Sequence, residues 1–189
     1  MEETDSALVV RSLSQPEAFG SLFERHGTAI LRFILRRVPP SEAEGMLGEV
    51  FGIAFQRRAS FDPTREPRPW LYGIAANLVA KHHRAEMRRM AAVARLAARP
   101  EHRDDPADHA VAAADAERAV SQLLCAVAAL NRGEREVLLL YSWEELTYGE
   151  IAMALDIPVG TVRSRLSRAR TKLRRVADAA RDKEDHGER

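Results

Sequence analysis

The sequence predicts an all-α protein made of two small helical domains joined by a flexible acidic linker. Three observations carry that prediction. Apolar residues recur at helical spacing in every long segment, and the segments are bounded by prolines or by a Ser, Thr or Asn with an acid three residues on. Only 6% of the 189 residues are aromatic and alanine is abundant, within a hydrophobic content of 46%, a balance that suits helices better than sheets. Between Leu96 and Glu117 the pattern breaks: Glu101, Asp104, Asp105, Asp108, Asp115 and Glu117, with Pro100 and Pro106, are too polar to bury much. The expected divisions are residues 14–95, a linker over 96–117, and residues 118–180.

In the first domain, Ser14 and Glu17 predict a capping box. The stripe Phe19, Leu22, Phe23, Ile30, Ile34 and Val38 then predicts two helical pieces hinged near Gly27 and ended by Pro39-Pro40. Ser41 and Glu44 are expected to cap the next helix, with Met46, Leu47, Val50, Phe51 and Ala54 as its buried face. Three prolines place Ser60 to Pro69 in an exposed loop. Helical spacing resumes at Trp70, itself expected in the core, and Leu71, Ile74, Ala75 and Leu78 point inward. Lys81, His82, His83, Arg84, Arg88 and Arg89 make the far end basic. His82 and His83 are neighbours on different helix faces, not a zinc pair at i, i+4.

The second domain opens with Val120, Leu123, Leu124, Val127 and Leu130 on one helical face, after which Asn131 and Glu134 cap a helix carrying Val137, Leu138 and Tyr141. These two helices are expected to bury the apolar backs of the pair that follows. Thr147 with Glu150 caps a short helix with Ile151 and Leu155 on one face, and Asp156-Ile157-Pro158 ends it. The next helix has Val162, Leu166, Ala169, Leu173 and Val176 on one stripe and Arg163, Arg165, Arg168, Arg170, Lys172, Arg174 and Arg175 elsewhere, with no acid among them. Two helices and a tight turn, the second strongly cationic, define a helix-turn-helix whose second helix enters the major groove of DNA. Residues Arg181 to Arg189 are expected to fray.

The net charge is only +1, so DNA binding is visible in the segregation of charge and not in its sum. The single cysteine, Cys125, excludes an internal disulfide and suits a buried thiol. The acidic start lacks the features of a signal peptide, and no run approaches a membrane span, so a cytoplasmic protein without membrane insertion is expected. No glycine-rich phosphate loop, metal-ligand cluster or nucleophile-base pair has recognisable spacing. No enzyme, cofactor, metal or catalytic residue is therefore expected. An operator-binding repressor or activator would share the helix-turn-helix. A transposase-like enzyme would need a carboxylate cluster, whereas the acids here collect in the linker.

The segment PVGTVRSRLSRAR resembles region 4 of the extracytoplasmic-function (ECF) group of sigma-70-type sigma factors, the promoter-recognition subunits of bacterial RNA polymerase. SEAEGMLGEVFGIAF resembles the polymerase-binding helix of region 2.2, and FDPTREPRPWLYGIAANLVAKHHRAEMRR resembles regions 2.3 to 2.4, in the family's order. The resemblance implies a region 2-like bundle and a region 4-like helix-turn-helix, with core RNA polymerase and promoter DNA as partners and an anti-sigma factor as a further one. Arg163, Ser164, Ser167 and Arg168 would face bases of the −35 element, and Thr161, Arg165, Arg170 and Lys172 its phosphates. Arg68, Asn77, Lys81, His82 and Arg84 would serve the −10 element, and Glu44, Leu47, Glu49 and Phe51 the polymerase. The chain departs from the family where Gly45 replaces an acid, Gly48 a glutamine, Ala76 an arginine and Lys81 an aspartate. A linker of about twenty extended residues reaches roughly 65 Å, against about 50 Å between two DNA elements a turn and a half apart.

Overall fold

The computed structural model describes residues 3–97 and 126–187, except residue 128. The expectations for residues 98–117, for Val120, Leu123 and Leu124, and for Cys125 lie outside the described residues. Among the described residues the regular elements are seven α-helices and one 3-10 turn, with no β-strand. The helices are α1 (Asp5–Arg11), α2 (Ala18–Leu35), α3 (Pro40–Arg57), α4 (Pro67–Ala97), α5 (Arg132–Ser142), α6 (Tyr148–Leu155) and α7 (Val159–Gly187), and the turn is Arg58–Ser60. No described helix is long and apolar enough to cross a membrane.

Helix α1 precedes every element expected from the sequence. Thr4 caps it by accepting from the Ala7 amide, and Leu8 and Val9 anchor it in the core. At its start Asp5 bonds Arg25 at 2.7 Å and His26 at 2.5 Å on α2. This helix also explains why Ser14 and Glu17 form no capping box. The Ser14 hydroxyl donates back to the Arg11 carbonyl, and α2 begins at Ala18 without a side-chain cap. Nor is α2 hinged. It runs unbroken through Gly27, because Leu22, Ile30, Phe33 and Ile34 are fully buried on one face and their packing outweighs the roughly 1 kcal/mol that an internal glycine costs.

Helix α3 starts at Pro40 with Pro39 in the capping position, so Ser41 and Glu44 do not cap it. Proline at the first helical position has its φ already set and lacks an amide that would go unpaired. Met46, Leu47, Val50, Phe51 and Ala54 are buried as expected. Phe51 meets Phe19 and Phe23 edge-on at 6.5 and 4.9 Å. Phe23, expected inside, keeps 46% of its surface exposed; its ring meets Phe51 edge-on and lies over Gly27, at the margin of the buried face of α2. Helix α4 begins three residues before Trp70, at Pro67. Trp70 is half-buried at the rim, its ring 5.0 Å from Phe61.

In the second module both expected capping boxes close, Asn131 with Glu134 and Thr147 with Glu150. Asp156 ends α6 in the left-handed conformation at φ 50°, which aspartate tolerates better than most residues. Val162, Leu166 and Ala169 are buried against α5 and α6. Helix α7 then continues to Gly187, beyond the residue at which fraying was expected. The two modules pack on each other through α4 and α6, and one apolar cluster runs across both.

Candidate nucleic-acid interface

Burial of Val162, Leu166 and Ala169 turns the remaining faces of α7 outward, and with them Arg163, Ser164, Ser167, Arg168, Arg170 and Lys172. Thr161 and Arg165 are half-buried. A groove beside the helix is walled by Tyr148, Arg163, Ser167, Arg170 and Arg174. Arg163 has no bonding partner among the described residues and projects from the first two turns, where a recognition helix meets base edges. The Ser164 hydroxyl donates to the Thr161 carbonyl at 3.1 Å, so it is engaged along its own helix.

The basic set is less free than the sequence implies. Glu134 on α5 is almost wholly buried and accepts from the Lys172 ammonium at 2.7 Å, with Arg168 at 3.7 Å. The Lys172 hydrogen bond holds the Glu134 carboxyl below its ordinary range. The Arg170 guanidinium lies 4.9 Å over the Tyr141 ring, and Arg165 lies against Gly133 so closely that a Cβ there would stand 2.9 Å from its Cζ. No acid interrupts α7 between Val159 and Arg175 in sequence, yet α5 supplies one in space.

On α4, Asn77, Lys81 and Arg84 are exposed and follow one another at i, i+4 and i+7, which places them on one stripe. His82 turns aside to Glu42 of α3 at 3.1 Å. Arg68 stands nine residues before Asn77, half a turn away around the helix, and faces the second module. There it donates to the Glu144 carbonyl and lies 5.8 Å over the Tyr72 ring. The expected −10 group is therefore divided. Asn77, Lys81 and Arg84 share an open face, whereas Arg68 sits in the seam between modules. On α3, Glu44 and Glu49 face outward, but Leu47 and Phe51 belong to the core at 9% and 7% exposure. Their spacing from Val50 and Ala54 puts them on the inward face.

Three seam residues were not singled out from the sequence: Tyr72, Gly73 and Glu144. Glu144 is 6% exposed; its carboxylate accepts from the Tyr72 hydroxyl at 2.8 Å and from Arg36 at 3.1 Å. Burial, and then the bond to Glu144, push the Tyr72 hydroxyl up to about 12, so it remains a donor at neutral pH. A lone glycine inside an apolar helical run was the one signal present at Gly73.

A bundle carrying an exposed basic stripe, packed on a helix-turn-helix with a cationic second helix, defines a two-module DNA-binding protein. The sigma-70 region 2 family matches residues 22–89 and the sigma-70 region 4 family residues 121–173. The chain is 32% identical to the ECF RNA polymerase sigma factor SigC of Mycobacterium tuberculosis, over 94% of both chains. It is 29% identical to the ECF RNA polymerase sigma-E factor of Escherichia coli, over 88% of this chain and 91% of that one. Among solved structures, CnrH in complex with the cytosolic domain of CnrY superposes with a TM-score of 0.66 at 25% identity, covering 94% of this chain and 99% of CnrH. The sigma factor RpoE with the anti-sigma factor NepR from Bartonella quintana shares the fold, with a TM-score of 0.61 at 21% identity over 86% of this chain and 98% of RpoE. The chain belongs to the ECF group of the sigma-70 family of RNA polymerase sigma factors.

Proposed function

We propose that this chain directs core RNA polymerase to promoters by dividing recognition between its two exposed cationic helices, with no catalysis of its own. Helix α7 takes the −35 element in the major groove. Arg163, Ser167 and Arg168 face bases with Ser164 beside them, while Thr161, Arg165 and Arg170 hold phosphate and Lys172, tied to Glu134, stands in reserve behind them. The stripe Asn77, Lys81 and Arg84, with His82 at its edge, takes the −10 strand once it is drawn out of the stack, and Arg68 joins it when the seam is open. Glu44 and Glu49 present the outer face of α3 to the polymerase, which Leu47 and Phe51 support from the core side. An anti-sigma factor is a fitting regulator, since RpoE, of the same fold, was solved with one. Such a protein works in the cytoplasm, where polymerase and promoter are.

The observation that carries this reading is Arg163, projecting without a partner among the described residues from a helix whose opposite face is sealed by Val162, Leu166 and Ala169. The test is run-off transcription with core polymerase over a library of promoter variants. Arg163→Ala should relax preference at particular −35 positions, with about 1 to 3 kcal/mol lost there. Equal weakening on every sequence would reduce Arg163 to a phosphate contact.

A further inference from the structure

Helix α1 does more than cover the core of the first module. Leu8 and Val9 bury it there, and Asp5 fixes its start to Arg25 and His26 of α2, so it is a firm strut with two polar ends. Both ends are tied to the same stretch of chain. The Ser6 hydroxyl donates to the Arg65 carbonyl at 2.6 Å, and the Ser12 carbonyl accepts from Nε of Arg58 at 3.2 Å. Arg58 is itself held for this by a second bond, to the Phe55 carbonyl, and by the Phe55 ring 3.6 Å beneath its guanidinium. Helix α1 and the segment joining α3 to α4 therefore run antiparallel, and the segment is pinned near both its ends.

That segment has little else to place it. Asp62 to Glu66 are all exposed, and Asp62 accepts from the Thr64 amide and hydroxyl and pairs with Arg65, all within the turn. Such local bonds set the shape of the turn and not its position. Among the described residues, the bond from Ser6 is the one hydrogen bond that joins residues 61–66 to a distant element. Position matters because of what the loop stands against. The Phe61 ring lies 5.0 Å from Trp70, and Phe61, Asp62, Arg65 and Trp70 wall a hollow of about 170 Å³. Trp70, Asn77 and Arg84 recur every seven residues along α4, so Trp70 heads the stripe that Asn77, Lys81 and Arg84 continue.

We infer that α1 is a splint for this loop and that Ser6 is a positioning residue for −10 recognition, holding Phe61 and the Asp62–Arg65 turn at the head of the α4 stripe before DNA arrives. The role rests on the reading that the stripe takes the −10 strand once it is drawn out of the stack. A loop already in place gives up little further freedom when the strand binds, whereas an unpinned one must be ordered at that moment. Ser6 acts through the Arg65 carbonyl and touches no base. Asp5, at the neighbouring position, keeps the strut seated while Ser6 holds the loop to it.

The test uses the full chain, with Ser6→Ala to remove the donor and Ser6→Thr to keep it. Acrylamide quenching reads the cover that the loop gives Trp70, in a Trp143→Phe background that leaves Trp70 as the single tryptophan. Run-off with core polymerase on single-base promoter variants reads recognition. Ser6→Ala should make Trp70 easier to quench with unchanged helical circular dichroism. It should also lower run-off by about two- to fivefold, the worth of one ordinary hydrogen bond, and flatten base preference at one end of the −10 element while −35 preference is kept. Ser6→Thr should return both readings to the wild-type level. Unchanged quenching in Ser6→Ala would overturn the splint. Easier quenching with wild-type run-off and preference would overturn the positioning role, and so would equal weakening on every promoter. If Asn77→Ala leaves run-off and −10 preference untouched while Ser6→Ala still uncovers Trp70, the −10 reading of α4 fails and the splint itself stands.

Discussion

The Lys172 ammonium stands 2.7 Å from Oε2 of Glu134, thirty-eight residues earlier, and the same carboxylate group accepts the amide of Asn131 to close the capping box of α5. One buried acid thus starts a supporting helix and tethers the recognition helix. It also neutralises a cation that would otherwise face phosphate.

Glu134→Gln should release Lys172 and Arg168 to the DNA while keeping the cap, since glutamine also serves at that position. The slope of log affinity against log salt should then steepen by about 0.9 for each additional phosphate neutralised. Fluorescence anisotropy on a non-specific duplex across a potassium chloride series measures it. An unchanged slope would mean that both cations reach phosphate in the wild type.

Glu145 adopts φ 53° in the loop between α5 and α6, a conformation costing an L-residue about 1 to 2 kcal/mol that glycine avoids. Glu145→Gly should raise stability by roughly 0.5 to 1 kcal/mol after glycine's greater unfolded-state freedom is subtracted. Urea denaturation should show a higher midpoint at constant m.

Gly45 and Gly48 lie exposed inside α3, with no atom within 4 Å of an added Cβ. Gly45→Ala and Gly48→Ala should each stabilise the first module by about 1 kcal/mol. Thermal denaturation reads that gain. A pull-down with core polymerase reads whether the outer face of α3 tolerates the methyls.

Burial alone would raise the Asp5 carboxyl, but the hydrogen bonds from Arg25 and His26, with their charges, bring it below its ordinary 3.8. A carboxyl lowered on folding contributes stability above its unfolded value, and that contribution is lost as pH falls through the folded value. Docking of α1 should therefore hold at neutral pH and weaken below pH 3.8. Asp5→Asn should abolish that acid-limb dependence, as followed by hydrogen exchange at the Leu8 and Val9 amides.

Local grammar proved dependable where nothing else competed for the residues. Thr147 with Glu150 and Asn131 with Glu134 close capping boxes as their spacing predicts. Ser14 with Glu17 and Ser41 with Glu44 have the same spacing and do not. In the first pair the preceding helix claims the serine hydroxyl; in the second, prolines start the helix sooner. The α7 stripe from Val162 to Ala169 was legible because burial follows a 3.6-residue period. The division of Arg68 from Asn77 was not, because it depends on which face of α4 meets a neighbour.

From the residues alone came the all-helical class, the helix-turn-helix with its cationic second helix, and the family resemblance, since each rests on periodicity, caps and charge within a few turns of chain. Only the tertiary structure decided that Glu134 holds Lys172, that Leu47 and Phe51 face inward, and that Gly73 and Glu144 join the modules. Those contacts link residues tens of positions apart. Their energy comes from shape and charge complementarity between surfaces, which no pattern within one helix encodes.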